Sequence, residues 1–296
     1  MSEPGAPITI FSIPKPFAGH IGDIQHNALE SWKRLHPEVH IILYGDDAGV
    51  AEAAAEHGVQ HVAQINRSLQ GTPMLDDAFM RTQGNARHPV VCYSNADIIL
   101  LPDLLRAVES MGLWRYLLVG CRTDLDLTGR LSFEGDWQGE LRARAERDGT
   151  LHNPSGLDYF VFPKGQLRGM PPFPVGRPRW DNWMVYHHRL IGVPVIDLTA
   201  DVLAVHQNHD YSHMAGGKKE VWAGSEAQRS AQLLGPHFVS MNIADASFEY
   251  HDGKVMSRRG LRYTLRTFWL RGSRVPILRV LLLAGRRCAS AMRKKS

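Results

Sequence analysis

Short apolar runs alternate with helix-like segments from Ile8 to His206, and this alternation limits the choice of fold more than any other feature of the chain. Ile8–Ile13, Val39–Tyr44 and Val90–Tyr93 have the length and the branched residues of buried strands. The segments between them carry apolar residues at helical spacing, and prolines or glycines separate the two kinds of segment. A chain of this pattern builds a mostly parallel sheet that is flanked on both faces by helices. We therefore predict an α/β fold.

The same reading predicts the remaining elements of the sheet. Further strands are expected at Val59–Val62, Leu117–Cys121, Leu157–Phe162, Val193–Leu198 and Val202–His206. Helices are expected around Ile24–Leu35, Ala48–His57, Pro73–Arg87, Pro102–Met111, Trp137–Arg147 and Trp180–Ile191. Because a missing N–H costs little in the first turn of a helix, Pro73 is expected to open its helix.

The C-terminal segment is strongly basic, whereas the rest of the chain is acidic. Lys254–Ser296 holds 13 Lys and Arg and no Asp or Glu, which leaves 21 basic and 30 acidic residues before it. We therefore predict a catalytic domain over residues 1–250 and a basic, amphipathic helical extension over 251–296. Such helices lie on anionic membrane surfaces. A helix that docks on the catalytic domain, or one used in oligomerisation, fits the same pattern.

The predicted location is the cytoplasm, with the extension able to bind the inner face of the membrane. The N-terminal residues lack the charged start and apolar core of a secretory signal. The three cysteines are odd in number and widely separated, which favours a reducing compartment over a disulfide framework.

A polar trio, Asn95-Ala96-Asp97, interrupts an apolar segment where a predicted strand ends. In open α/β sheets the ligand lies beyond the carboxyl ends of the strands. Asn95 and Asp97 point the same way along an extended backbone, and their oxygens suit Mg or Mn that carries a diphosphate. The alternative is that Asp97 caps a turn.

A second polar group follows the last predicted strand. It consists of three histidines and two lysines: His206, His209, His213, Lys218 and Lys219. Imidazoles can complete a metal sphere, and the lysines beside a glycine turn can neutralise a departing diphosphate. A structural histidine cluster and a zinc site are the alternatives.

Asp181 lies between aromatic and amide residues after a proline-rich loop. It is a candidate general base for an acceptor hydroxyl, although an N-cap is the alternative. Trp180 and Trp183 offer stacking faces for sugar rings or else belong to the core. We group Asn182 and Asp158 with them on the acceptor side.

Asp46 and Asp47 follow the second predicted strand, where a carboxylate can accept from a ribose hydroxyl or a base N–H. Capping of the next helix is the competing reading. Pro14, after the first strand, is placed with them on the donor side.

Together these residues resemble the A-type (GT-A) glycosyltransferase fold, a single Rossmann-like domain, from about Ile8 to Lys219. The resemblance implies a nucleotide-sugar donor and a divalent cation, Mn or Mg. The family's Asp-x-Asp motif corresponds to Asn95-Ala96-Asp97, with Asn in place of the first Asp. It also implies that His206, with His209 and His213 behind it, supplies a further metal contact.

Two motifs disagree on stereochemistry. His213-x-x-Gly216-x-x-Lys219 resembles a stretch of retaining members, whereas Trp180-Asp181-Asn182-Trp183 resembles the acceptor-side motif of inverting members. We favour inversion with Asp181 as base and Lys218 or Lys219 at the leaving diphosphate. The expected acceptor is a hydroxyl, and a membrane-bound tail would suit a lipid-linked sugar or a polysaccharide glycan.

Two other classes of protein fit less well. A metal-dependent nucleotidyltransferase or hydrolase would carry a glycine-rich basic loop after the first strand, and Pro14–Gly19 is only faintly of that type. A non-catalytic protein that binds an anionic surface would use the tail. No nucleic acid is expected as partner, because the acidic residues before Lys254 would repel its phosphates.

Overall fold

The computed structural model describes residues 7–209, 217–235 and 238–272. Within these residues the main sheet has nine strands. In spatial order they are β13 (Lys254–Ser257), β12 (Phe248–His251), β10 (Val195–Asp197), β6 (Leu117–Val119), β9 (Tyr159–Pro163), β4 (Val90–Ser94), β1 (Thr9–Ser12), β2 (His40–Tyr44) and β3 (Gln60–Val62). A smaller sheet consists of β5 (Ile98–Leu100), β11 (Ala204–Gln207), β7 (Thr123–Leu125) and β8 (Thr150–Leu151).

The described residues also form nine α-helices. They are α1 (Gly19–Lys33), α2 (Val50–His57), α3 (Leu75–Asn85), α4 (Asp103–Glu109), α5 (Trp137–Asp148), α6 (Trp180–Leu190), α7 (Gly217–Ala223), α8 (Ser225–Leu234) and α9 (Leu261–Gly272). Of these, α5 packs against the small sheet. A short 3-10 helix spans Ile243–Asp245.

The main sheet is mostly parallel, as predicted from the alternation of strands and helices. β1 pairs in parallel with β2 and β4, and β2 with β3. β10 pairs in parallel with β6 and β12, while β9 runs antiparallel between β4 and β6. The carboxyl ends of β1, β2 and β4 therefore lie at one edge of the sheet.

Both faces of the sheet are buried, because successive residues of β1 belong to different apolar clusters. Ile8 and Ile10 pack in one cluster, and Phe11 and Ile13 in the other. This is the reason why the strands appear as continuous apolar runs in the sequence rather than as alternating ones.

Helix α1 holds the small sheet against the large one. Its predicted apolar face is buried, and the indole Nε1 of Trp32 donates to the carbonyl of Ile98 at 2.9 Å. The Ser31 hydroxyl oxygen accepts from the backbone N–H of Leu100 at 3.2 Å. These bonds fix the start of β5, directly after the polar trio.

The third helix begins at Leu75, so the prediction that Pro73 opens it was wrong. Pro73 instead forms an isolated bridge with Arg67, and its carbonyl accepts from the backbone N–H of Val175 at 2.9 Å. Tertiary pairing with the proline-rich loop therefore keeps Pro73 extended.

The chain does not leave the main sheet at residue 250. β12 pairs in parallel with β10, and β13 returns along β12 as a hairpin. A domain division at residue 250 would cut this hairpin, and Ser257 is the last residue of the sheet among those described. These strands and the small strands β7 and β8 were not predicted, since their segments carry no sustained apolar run.

Helix α9 begins the basic extension and docks on the folded domain. The two Arg189 Nη atoms donate to the Tyr263 hydroxyl at 2.9 Å and to Thr267 Oγ1 at 2.7 Å. Arg266 pairs with Asp245, and Leu270 is buried. One face of this helix is therefore a docking face. Residues 273–296, which hold the rest of the predicted extension, lie outside the described residues.

Candidate active site

The site lies where parallel strands end and the chain passes from the large sheet to the small one. Lys15 follows β1, Asp46 follows β2, and Asp97 follows β4. Because these strands are parallel neighbours, the three segments meet at one edge.

The turn that carries Asp97 is fixed by backbone bonds. The Asn95 N–H donates to the carbonyl of Asp158 at 2.9 Å, and the Ile98 N–H donates to the carbonyl of Asn95 at 3.2 Å. Gln207 donates to the carbonyl of Asp97 through its backbone N–H at 3.2 Å and its amide at 3.3 Å. β11 pairs antiparallel with β5, with His206 opposite Ile98, so that His206 arrives beside Asp97.

Asp97, His206 and His209 form a cluster whose potential ligand atoms all lie within 4.8 Å of one another. Asp97 Oδ2 lies 3.1 Å from His209 Nε2 and 3.4 Å from Lys15 Nζ. Asp97 is 8% exposed and His206 9%. Among the described residues, the buried Oδ1 of Asp97 has no hydrogen-bond partner. A buried carboxylate oxygen in this condition is a suitable cation ligand.

The charges around the cluster keep its carboxylate ionised and its imidazole neutral. Burial alone would raise the pKa of Asp97, but Lys15, His209 and His206 outweigh it and hold the pKa well below its usual range. Burial lowers the pKa of His206, despite the opposing charge of Asp97. An ionised carboxylate beside a neutral imidazole is the protonation state that binds metal.

One carboxylate and two imidazoles form a donor set that fits a divalent ion such as Mn or Zn. Sequence reasoning singled out each of these three residues, and the structure brings them together. His213, the third predicted histidine, lies outside the described residues.

Asn95, predicted as a further ligand, is directed elsewhere. Its Nδ2 donates to Asp158 Oδ1 at 2.7 Å, and its Oδ1 accepts from the Tyr93 hydroxyl at 3.2 Å. It therefore positions the turn, and its role as ligand stays a prediction.

Lys15 is the member of the site that sequence reasoning did not single out. Its Nζ lies 3.0 Å from His209 Nε2 as well as 3.4 Å from Asp97. The buried amide of Gln25 accepts from the backbone N–H of Lys15 at 2.7 Å and donates to its carbonyl at 2.9 Å. The only sequence signal was the position of Lys15 directly after the first strand.

A chain of ion pairs extends from this cluster across the small sheet. Arg122 donates to Asp158 Oδ2 at 2.7 Å and to Asp124 Oδ1 at 2.8 Å. Asp124 lies 3.0 Å from His206 Nδ1 and 2.6 Å from His152 Nδ1. Asp158, assigned to the acceptor side, is thus a buried carboxylate that joins Asn95 to Arg122.

Asp181 is the second residue of α6, so it is not the N-cap that the alternative reading made it. Arg179 occupies the cap with a positive φ of 89°, a strained conformation for a side chain of this size. Asp181 Oδ1 accepts from the backbone N–H of Asn182 at 2.8 Å. Asp181 is half-buried. Burial raises its pKa to about 6, and the charge of Asp158 adds to the rise.

The two tryptophans beside Asp181 are in the core. Trp180 is 5% exposed, and its ring lies 5.1 Å from that of Tyr93 in an edge contact. Trp183 is 7% exposed and stacks on His187 at 4.6 Å. Little ring surface remains for a sugar, which favours the core reading. The Asn182 amide donates to the carbonyl of Met241 at 2.8 Å.

The donor-side residues are only partly brought together. Asp46 pairs with Arg67, whose Nη2 also lies 3.4 Å from Asp47 Oδ2. Pro14 is buried directly before Lys15, and Lys219 is exposed on α7. The side chain of Lys218 lies outside the described residues.

Solved structures of similar fold include glucosyl-3-phosphoglycerate synthase from Mycobacterium tuberculosis, at 16% identity and a TM-score of 0.46, over 78% of this chain and 80% of that chain. The same protein with Mn2+, uridine diphosphate and phosphoglyceric acid aligns at 14% identity and a TM-score of 0.44, over 78% and 77%. A proposed nucleotide-diphospho-sugar transferase from Desulfovibrio desulfuricans G20 aligns at 12% identity and a TM-score of 0.41, over 77% and 96%. No protein-family model and no curated protein matches the chain. Similarity of this degree carries no functional argument, so function is inferred from the chain's own residues.

Proposed function

We propose that the protein is a glycosyltransferase of GT-A type that moves a sugar from a nucleoside-diphosphate sugar to a hydroxyl acceptor. The observation that carries the proposal is the cluster of Asp97, His206 and His209 with Lys15 beyond the ends of parallel strands. A carboxylate and imidazoles for a cation, next to an ammonium group, are suited to a ligand with two adjacent phosphates.

On the donor side, Asp97, His206 and His209 would hold a divalent cation, and their two imidazoles favour Mn over Mg. A cation bound there neutralises charge that develops on a diphosphate leaving group. The Lys15 side chain is 33% exposed and its Nζ lies 3.4 Å from Asp97, so its ammonium group could also bind the diphosphate. Asp46 and Asp47 would accept hydrogen bonds from the ribose or base, with Arg67 holding them in place. Pro14 shapes the loop, and Lys218 or Lys219 would cover the diphosphate.

On the acceptor side, Asp181 would act as general base. The charge of Asp158 adds to the rise in the pKa of Asp181, and it opposes the burial that lowers the pKa of His206. A carboxylate whose pKa is near 6 is mostly ionised at neutral pH and still basic enough to accept a proton.

The proposed reaction is a direct displacement that inverts the anomeric centre. Asp181 takes the proton of the acceptor hydroxyl while the acceptor oxygen forms a bond to the anomeric carbon. The bond from that carbon to the diphosphate breaks, and its electron pair leaves with the diphosphate, which Lys15 stabilises. Asp158, Asn95 and Arg122 would hold the donor side and the acceptor side in fixed positions relative to each other.

We further propose that the acceptor is lipid-linked or part of a glycan at an anionic membrane surface, with α9 at that surface. Leu265 and Phe268 of this helix are 54% and 56% exposed, on the side not docked by Tyr263, Thr267 and Leu270. Basic helices with exposed apolar residues bind anionic lipids. None of the described helices has the length and apolar character needed to span a bilayer.

Vesicle flotation tests the membrane part. The double variant Leu265→Glu/Phe268→Glu is expected to abolish recovery of the protein with phosphatidylglycerol-containing vesicles. The control Leu69→Glu changes a leucine that is 93% exposed and lies outside α9, and it is expected to leave recovery unchanged. Equal recovery of wild type and the double variant would refute the role of α9.

A thermal-shift screen of nucleoside diphosphates and nucleotide sugars, with and without Mn, tests the main proposal. We expect one nucleotide to raise the melting temperature only when Mn is present, and Asp97→Asn to lose that rise. If the melting temperature of Asp97→Asn rises as much as that of wild type, Asp97 does not take part in donor binding. The absence of any shift, together with no sugar transfer, would reject the transferase.

A further inference from the structure

A second cluster of potential metal ligands lies away from the candidate active site, between helices α1 and α2. His26 of α1 faces Glu56 and His57 at the end of α2, and their ligand atoms all lie within 4.8 Å of one another. His26 Nδ1 lies 2.8 Å from His57 Nε2 and 3.8 Å from Glu56 Oε1. The His26 and His57 side chains are 11% and 7% exposed.

The hydrogen bonds around His57 orient it as a ligand. Its Nδ1 lies 3.2 Å from Glu30 Oε2, and because a carboxylate only accepts, Nδ1 carries the proton. The lone pair of Nε2 then points at His26. A carboxylate behind an imidazole in this way is the usual support of a metal-bound histidine.

The two carboxylates near the imidazoles already take part in ion pairs. Glu30 is shared with Lys33 and Arg34, and Glu56 accepts from Arg130 at 2.8 Å. These carboxylates are therefore partly neutralised, so that a bound cation would be held mainly by the imidazole nitrogens.

We propose that His26, Glu56 and His57 form a Zn2+ site with one position open to water or a further ligand. Two imidazoles and a carboxylate are a donor set that Zn2+ accepts, whereas Mg2+ prefers oxygen alone. In a tetrahedral site the two nitrogens would be about 3.3 Å apart, so the imidazoles must separate by roughly 0.5 Å. His26 moves its proton from Nδ1 to Nε2 as it binds, and no proton is released.

The site would stiffen the loop that carries Lys15. Phe17 packs edge-on against His26 at 5.0 Å between ring centroids, and its backbone N–H donates to the carbonyl of Ala48 at 2.8 Å. A Cβ at Gly49 would lie 2.8 Å from Phe17 Cβ, so this contact leaves no room for a side chain. Zn2+ bound between α1 and α2 would fix both walls of this loop.

Calorimetric titration with ZnCl2 tests the site in an Asp97→Ala/His209→Ala/His251→Ala background, which removes the active-site cluster and a third cluster of Asp201, His251 and Asp252. We expect one Zn2+ per chain and a rise in melting temperature of about 5 °C at a hundred-fold excess over the dissociation constant. His26→Gln is expected to weaken binding at least 100-fold. Glu30→Gln, which removes only the supporting carboxylate, is expected to weaken it by about 10–100-fold.

Two further variants keep the test independent of folding. Glu56→Gln changes a side chain that is 49% exposed, so the fold is expected to persist while zinc affinity falls. His88→Ala, which changes a histidine outside the cluster, is expected to bind zinc as the background does. Zinc binding that persists unchanged in His26→Gln and Glu56→Gln, or no binding in the folded background variant, would overturn the proposal.

Discussion

Asp97 and Asp181 are the same residue type, yet their environments shift their pKa values in opposite directions. Burial favours the protonated form of both. Asp97 also has Lys15 and His209 beside its carboxylate, and its pKa falls well below the usual range. Asp181 has backbone N–H groups and the negative charge of Asp158, and its pKa rises to about 6.

At Asp97 the neighbouring charges outweigh burial, whereas at Asp181 burial sets the direction of the pKa shift and the charge of Asp158 adds to it. A permanently ionised group suits a cation, and a group that titrates near neutrality suits proton transfer. Asp158 affects the surroundings of both carboxylates, because it accepts a hydrogen bond from Asn95 near Asp97 and its charge repels that of Asp181. Substitutions at these positions test whether the roles are as distinct as the pKa directions indicate.

The largest effect is expected at the metal side. Asp97→Ala should lower kcat/KM for sugar transfer by about 10⁴-fold or more, because stabilisation of the leaving group is worth several kcal/mol. Release of nucleoside diphosphate from the donor identified in the thermal-shift screen measures this. Glu109→Gln, which changes an exposed carboxylate on α4, serves as control. Wild-type turnover in Asp97→Ala, or in the presence of a chelator, would contradict the metal role of Asp97.

The next effect is expected at the base. Asp181→Asn should lower kcat by about 10²–10⁴-fold. The wild-type rate should fall about tenfold per pH unit below pH 6, because the base is protonated there. The kcat–pH profile of Asp158→Asn should have this acid limb at lower pH, since the repelling charge is gone. An unchanged limb would mean that another group titrates.

The third effect concerns the free energy of unfolding. Substitution of Asp181 is expected to raise it at alkaline pH, whereas loss of a contact would lower it. The raised pKa of Asp181 makes its contribution fully present below about pH 4 and lost as the pH rises through 6. Asp181→Asn cannot ionise, so it should be more stable than wild type at pH 8 by up to about 3 kcal/mol and equal to it near pH 4. Urea unfolding at both pH values measures the difference. Equal stability at pH 8 would contradict the raised pKa.

The smallest effect is expected for the free energy of unfolding when Asp97 is substituted and no metal is added. The lowered pKa of Asp97 gives stability above about pH 4 that is lost as the pH falls below it. Asp97→Asn should therefore lower the free energy of unfolding at pH 7 by about 1–3 kcal/mol, since Lys15 loses its buried partner. The same urea experiment measures this. A stabilised Asp97→Asn would erase the contrast with Asp181.

Much of the site was predictable because strand ends in a parallel sheet meet at one edge. The polar trio after β4 and the histidines at the end of β11 could be assigned to that edge from the sequence. Asp181 could be named but not assigned a pKa, because its burial and the nearby charge of Asp158 arise only from tertiary packing. Lys15 could not be singled out, since one lysine after a strand carries no pattern of its own.

The sequence by itself determined the mostly parallel sheet, because buried strands and amphipathic helices leave distinct periodicities along the chain. Only the tertiary structure decided the burial of Trp180, the hairpin β12–β13 and the meeting of Lys15 with Asp97, which are separated by 82 positions. Local periodicity records which face of an element is buried. It does not record which distant charge or ring lies against that face, and those contacts set the pKa values on which the proposed chemistry depends.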